Sequence, residues 1–211
     1  MARIVFVGGC ATGLLLTDPA AAPVRATLDV DVVVELASYA EYIALEEQLR
    51  RLGFQECQDE GAPICRWVSD DIVLDVMPTD SSLLGFSNRW YRAAFENAQK
   101  VSVAGHEIGL ITAPYFLATK LEAFHGRGKE DYRGSRDLED VITVLDGRPE
   151  IEDEVALAPP DFQQYLSDEF RALTLNRDFL DALPEHLLPD PASQQRIGIV
   201  LERMKNLIWG V

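Results

Sequence analysis

The chain has 211 residues, 47% hydrophobic and 26% charged, a globular composition that excludes a disordered, collagen-like or disulfide-scaffold protein. Its 35 acidic residues against 19 basic ones give a net charge of −16. A field of that sign repels nucleic acid and anionic membrane at long range, so contact with an RNA requires a local basic patch.

The three cysteines, Cys10, Cys57 and Cys65, are odd in number and lack zinc-type spacing. The opening Arg3 to Val7 run is too short for a signal peptide, and no apolar stretch approaches the ~20 residues of a membrane span. A reducing cytoplasm is the expected location.

In chain order, Arg3 to Val7 reads as a strand that runs into Gly8 and Gly9 and then a helix-like stretch. Leu28 to Val34 is a second, valine-rich strand. Ser38 to Leu52 has helical period, with Tyr42, Leu45 and Leu49 on one side. Ile64 to Val68 and Ile72 to Met77 read as strands joined by a Ser69-Asp70-Asp71 turn, and Val101 to Val103 with Glu107 to Ile111 as a further hairpin. After Ile111 the period becomes helical: Tyr115 to His125, then a basic glycine-rich loop from Gly126 to Gly134, then a helix starting at Ser135. That helix carries Leu138, Val141, Ile142 and Leu145 on one face. The acidic, proline-containing stretch Gly147 to Pro160 is the predicted boundary between a domain of residues 1–147 and a helical region of residues 148–211. Phe162 to Leu173, Arg177 to Leu183 and a last helix over 192–208 complete that region. The fold class predicted is α+β, a small mixed sheet followed by helices.

Three features stand out chemically. Glycines at Gly8 and Gly9 let backbone approach a ligand, and N–H groups at a helix start suit phosphate. On the second strand, alternation puts Asp29 and Asp31 on one face and Leu28, Val30 and Val32 on the other. If that strand extends backwards, Arg25 and Thr27 share the acidic face. Asp75 is a single acid inside a later apolar run. The plain alternative is a half-exposed strand with solvated acids, but Asp is depleted in strands and paired acids repel. Three clustered carboxylates call for a cation, and oxygen-only ligands suit Mg²⁺ or Mn²⁺.

A Gly-Gly turn, then Arg25-x-Thr27-x-Asp29-x-Asp31, then Asp75 resembles the nucleotidyltransferase superfamily of polymerase-β type. The resemblance implies that Gly8 and Gly9 bind nucleotide phosphates, with Cys10 where the family usually has Ser or Thr. It implies that Arg25 and Thr27 flank the nucleotide and that Asp29, Asp31 and Asp75 ligate the metal, Asp75 also serving catalysis. Residues 113–124 (Ala-Pro-Tyr-Phe-Leu-Ala-Thr-Lys-Leu-Glu-Ala-Phe) and Ser135-Arg136-Asp137-Leu138-Glu139-Asp140 are similar to abortive-infection (AbiE-type) nucleotidyltransferase toxins. That likeness implies a phosphate-binding Lys120 and a catalytic Asp137, with Asp140 a secondary candidate. The plain alternatives are a surface lysine and acids that favour a helix dipole.

The expected function is metal-dependent transfer of an NMP from an NTP to an acceptor. The resemblance points to a toxin acting on RNA such as tRNA, paired with a cognate antitoxin protein. A small-molecule acceptor of antibiotic type and a non-catalytic nucleotide-binding protein are the alternatives; no membrane partner is expected.

Overall fold

The computed structural model describes residues 3–85, 87–127 and 130–209; Gly128 and Lys129 of the basic loop lie outside the described residues. The elements are β1 (Ile4–Val7), α1 (Gly8–Leu15), β2 (Asp29–Val34), α2 (Tyr39–Arg51), β3 (Gln55–Glu56), β4 (Arg66–Ser69), β5 (Ile72–Pro78), α3 (Ser81–Leu84) and α4 (Tyr91–Glu96). They continue with β6 (Gln99–Val103), β7 (His106–Leu110), α5 (Ala113–Arg127), α6 (Arg136–Gly147), α7 (Ile151–Ala156), α8 (Pro160–Leu175), α9 (Arg177–Ala182), α10 (Pro191–Gln195) and α11 (Ile197–Asn206). No helix among the described residues is long and apolar enough to cross a membrane.

The fold class is α+β, as the sequence predicts. By compactness the chain forms two units, Met1–Ala11 with Arg25–Tyr115, and Thr12–Val24 with Phe116–Val211. This grouping follows a different line from a division after residue 147. The Gly147 carbonyl accepts the N–H groups of Thr17 (2.9 Å) and Asp18 (3.0 Å), which keeps that neighbourhood inside the second unit.

The first unit is built on a seven-stranded sheet of order β3-β4-β5-β2-β1-β7-β6. Strand β2 is antiparallel to β1 and parallel to β5, and β1 is parallel to β7, so the sheet is mixed. The period-two pattern of β2 is realised: Val32 and Val34 face a core with Tyr42, Leu45 and Leu49 of α2, Trp67 of β4 and Val76 of β5. Each large apolar side chain buried there contributes roughly 1.5–3 kcal/mol. Helix α2 begins where Ser38 Oγ accepts the Glu41 N–H at 3.3 Å while the Glu41 carboxylate takes the Ala37 N–H at 2.7 Å. It ends at Gly53, whose φ of +91° is left-handed.

In the second unit, Leu138, Val141, Ile142 and Leu145 of α6 are all buried, as their spacing predicts. Ser135 caps this helix by accepting the Leu138 N–H at 3.3 Å. Its C-terminal carbonyls are held by cations: Arg196 Nη2 donates to Asp146 O at 3.0 Å and Arg203 Nη1 donates to Asp146 O at 2.6 Å. The stretch Gly147 to Pro160 contains α7, whose Ile151 and Val155 are buried. One expectation needs revision. The last helix, expected to run unbroken over 192–208, is divided at Arg196 into α10 and α11. The Arg196 side chain is drawn to Asp18 and Asp146, both at 2.6 Å.

Candidate active site

Register across four strands assembles the acidic cluster in the first unit. Val7 of β1 pairs with Asp31 of β2, Asp31 with Asp75 of β5, and Asp75 with Arg66 of β4. In-register partners project on the same face, so Asp31, Asp75 and Arg66 stand side by side. Asp29 lies two residues before Asp31, on the same face. One carboxylate oxygen from each of Asp29, Asp31 and Asp75 lies within 4.8 Å of the others. Such a set of hard oxygen donors fits a divalent cation of the Mg²⁺ or Mn²⁺ kind.

The surroundings are built to this cluster. Gly8 opens α1 with φ +62°, and a Cβ there would lie 2.0 Å from Asp31 Oδ2. Glycine is therefore required twice over, by backbone conformation and by the carboxylate pressed against it. Gly9 occupies the first turn of the same helix. The Thr27 hydroxyl donates to Asp29 Oδ1 at 2.5 Å and so orients that carboxylate. Strand β2 starts at Asp29, so Arg25 and Thr27 belong to the irregular segment before it and not to a longer strand.

The Cys10 thiol donates to Val7 O at 3.1 Å. Burial, with the negative charges of Asp31 and Asp29 added, pushes this thiol up to about 11. Burial and the Asp75 charge do the same to Cys65, also to about 11. Both cysteines are protonated at neutral pH and are poor nucleophiles.

Arg66 is the residue that the sequence reading missed. Its Nε donates to Asp75 Oδ1 at 2.8 Å and its Nη2 to Asp75 Oδ2 at 2.7 Å. The same Nη2 lies 3.7 Å from Asp29 Oδ2. The hydrogen bonds to Asp75 hold the guanidinium more firmly protonated than usual. A signal was available: once Ser69 and Ile72 pair across the turn, counting outward sets Arg66 opposite Asp75.

Lys120 and Asp137 meet in the second unit. Lys120, only 7% exposed, lies 3.2 Å from Asp137 Oδ1 and 2.6 Å from Asp140 Oδ2. A surface lysine is thereby excluded. Phe116 and Phe124 flank it on the buried face of α5, as the spacing predicts. Arg127 adds a two-pronged contact to Asp137, Nε–Oδ2 and Nη2–Oδ1 both 2.9 Å. Burial alone would lower the Lys120 pKa, but the charges of Asp140 and Asp137 outweigh it and the ammonium is held. Burial would raise Asp137, yet Arg127 and Lys120 keep its carboxyl below the usual range. Of the basic loop, Arg127 is committed to Asp137 and Arg133 pairs with Glu185.

No family model matches the chain, and no curated protein matches it. A solved structure does: an antigenic nucleotidyltransferase-like protein from Paracoccidioides brasiliensis, 21% identical, with a TM-score of 0.51 over 86% of this chain and 84% of that one. The chain has a nucleotidyltransferase-like fold. At that identity the likeness is one of architecture. Among the described residues, Asp29, Asp31 and Asp75 form a group on this sheet that could hold a metal ion.

Proposed function

We propose that the protein is a metal-dependent nucleotidyltransferase that moves an NMP from an NTP to an acceptor. The observation that carries this reading is the convergence of Asp29, Asp31 and Asp75 within 4.8 Å beside the Gly8 turn, on a nucleotidyltransferase-like fold. Asp29 and Asp31, with Asp75, would hold Mg²⁺ or Mn²⁺, which when bound supplies charge neutralisation at the α-phosphate and the leaving oxygen. The backbone of Gly8, Gly9 and Cys10 would receive the phosphates, and Thr27 would keep Asp29 in place. Arg25 is assigned to the nucleotide by resemblance. In the reaction an acceptor oxygen attacks the α-phosphorus, the bond to pyrophosphate breaks, and pyrophosphate leaves with the electron pair. The acceptor proton passes to Asp75 or to solvent.

The similarity of residues 113–140 to AbiE-type toxins supports a toxin-like enzyme acting on RNA such as a tRNA end, held in check by an antitoxin protein in the cytoplasm. On the same grounds Lys120 is assigned to the triphosphate and Asp137 to catalysis. The charge of −16 favours a second reading, a cationic small-molecule acceptor, because an acidic surface attracts it and repels RNA. Both are tested by incubating the protein with α-phosphate-labelled NTPs, Mg²⁺ or Mn²⁺, and either total tRNA or cationic antibiotics. Label on tRNA supports the first reading and label on the small molecule the second. Label on neither, with each of the four NTPs, would refute the transferase reading.

A further inference from the structure

We propose that Arg66 is a positioning residue that serves as the built-in counter-ion of the carboxylate cluster and competes with the divalent cation for Asp75. The inference rests on the metal-dependent reading given above. Asp75 is 6% exposed and lies beside two other carboxylates, an arrangement that repels itself unless a positive charge enters it. Arg66 supplies that charge with a planar fork matched to a carboxylate, one nitrogen on each oxygen of Asp75 at 2.8 and 2.7 Å. Its second contact, 3.7 Å to Asp29, extends the same charge over a second ligand.

A cation approaching Asp75 therefore meets a carboxylate whose two oxygens are already accepting hydrogen bonds, with a fixed positive charge a few ångströms away. The two-pronged contact is made to Asp75, with a longer one of 3.7 Å to Asp29, so the competition falls chiefly on Asp75. Asp75 becomes a full ligand as the guanidinium turns aside. The Arg66 side chain is 28% exposed, so one side of it borders solvent into which it can move. Arg66 thus stabilises the metal-free protein and weakens metal binding. A residue with only an architectural role differs in the metal readout, since its loss disorders the ligands and weakens metal binding along with stability.

The test is titration of Mn²⁺ alone into wild type, Arg66→Gln and Arg66→Lys, reading free Mn²⁺ by electron paramagnetic resonance, with metal-free melting temperatures alongside. Arg66→Gln is expected to bind Mn²⁺ roughly tenfold or more tighter than wild type, because a unit charge near the ion is gone. It is also expected to melt at a lower temperature without metal. Arg66→Lys keeps the charge but loses the fork, so its affinity falls between the two. Equal or weaker binding by Arg66→Gln, with wild type binding normally, would overturn the proposal and leave the metal reading standing. If Arg66→Gln does not fold, unchanged or weaker affinity in Arg66→Lys overturns it in the same way. Failure of all three proteins to bind Mn²⁺ would instead remove the metal reading itself, and this inference with it.

Discussion

Replacing Lys120 by methionine takes the ammonium from between Asp137 and Asp140 while filling similar volume. Asp137 keeps Arg127, but Asp140, only 2% exposed, loses a charged partner 2.6 Å away. Removing one member of a buried ion pair costs about 3–5 kcal/mol, chiefly through the charge left behind. For a chain of this size that is a fall of about 6–20 °C in melting temperature.

The directions in which the fold moves Lys120 and Asp137 place the contribution at neutral pH. The Lys120 pKa is raised in the fold, so its share is complete below the ordinary 10.5 and is lost as pH rises through the folded value. The Asp137 pKa is lowered, so its share is present above 3.8 and is lost as pH falls through the folded value. The check is calorimetric melting at pH 7 of Lys120→Met, Asp140→Leu and the double variant. The double variant should recover most of the loss, because two apolar side chains replace a buried pair. Lys120→Met within about 1 kcal/mol of wild type, or a double variant showing simple additivity, would refute the reasoning. The double variant also separates architecture from chemistry. Transfer activity that stays lost after stability returns assigns Lys120 or Asp140 to the chemistry, whereas activity that returns with stability confines both to the ion-pair network.

Mg²⁺ with NTP at 100 times Kd should stabilise the wild type by about 2.7 kcal/mol, and the Asp29→Asn/Asp31→Asn variant should lose that gain. A full ligand-induced shift in that variant, read by differential scanning fluorimetry, would remove the carboxylates from the metal site. Gly8→Ala should cost at least about 1–2 kcal/mol from its left-handed backbone and should abolish the ligand-induced shift by displacing Asp31; a normal response to Mg²⁺ and NTP would contradict the close approach. Alkylation of Cys10, followed by peptide mass spectrometry, should be roughly 100-fold slower at pH 8 than that of an ordinary thiol and rise about tenfold per pH unit towards pH 11. A rate that levels off near pH 9 would show that the thiol is not suppressed.

The acidic cluster was legible because it follows from local rules. Period-two alternation set Asp29 and Asp31 apart from the valines, and an acid within the apolar run of β5 singled out Asp75. Arg66 was not visible in the same way, since an arginine near a turn acquires meaning only when antiparallel register sets it opposite Asp75. Lys120 shows the same limit. Its position between Phe116 and Phe124 could be read, but its burial depends on Asp137 and Asp140 of another helix. Helix α7 was hidden because only Ile151 and Val155 carry its apolar face, with three acids between them. At the division of the last helix, Arg196 pairs with Asp18 and Asp146, partners far away in sequence that no local pattern reveals.

The central claim is that these three carboxylates hold a divalent cation. Anomalous diffraction from crystals grown with Mn²⁺ and a non-hydrolysable NTP analogue tests it most directly. The expected result is an anomalous peak within roughly 2–2.5 Å of oxygens of Asp29 and Asp31, with triphosphate density beside the Gly8 turn. Density for the analogue with no Mn²⁺ peak at these carboxylates, or a peak held by other residues, would contradict the account.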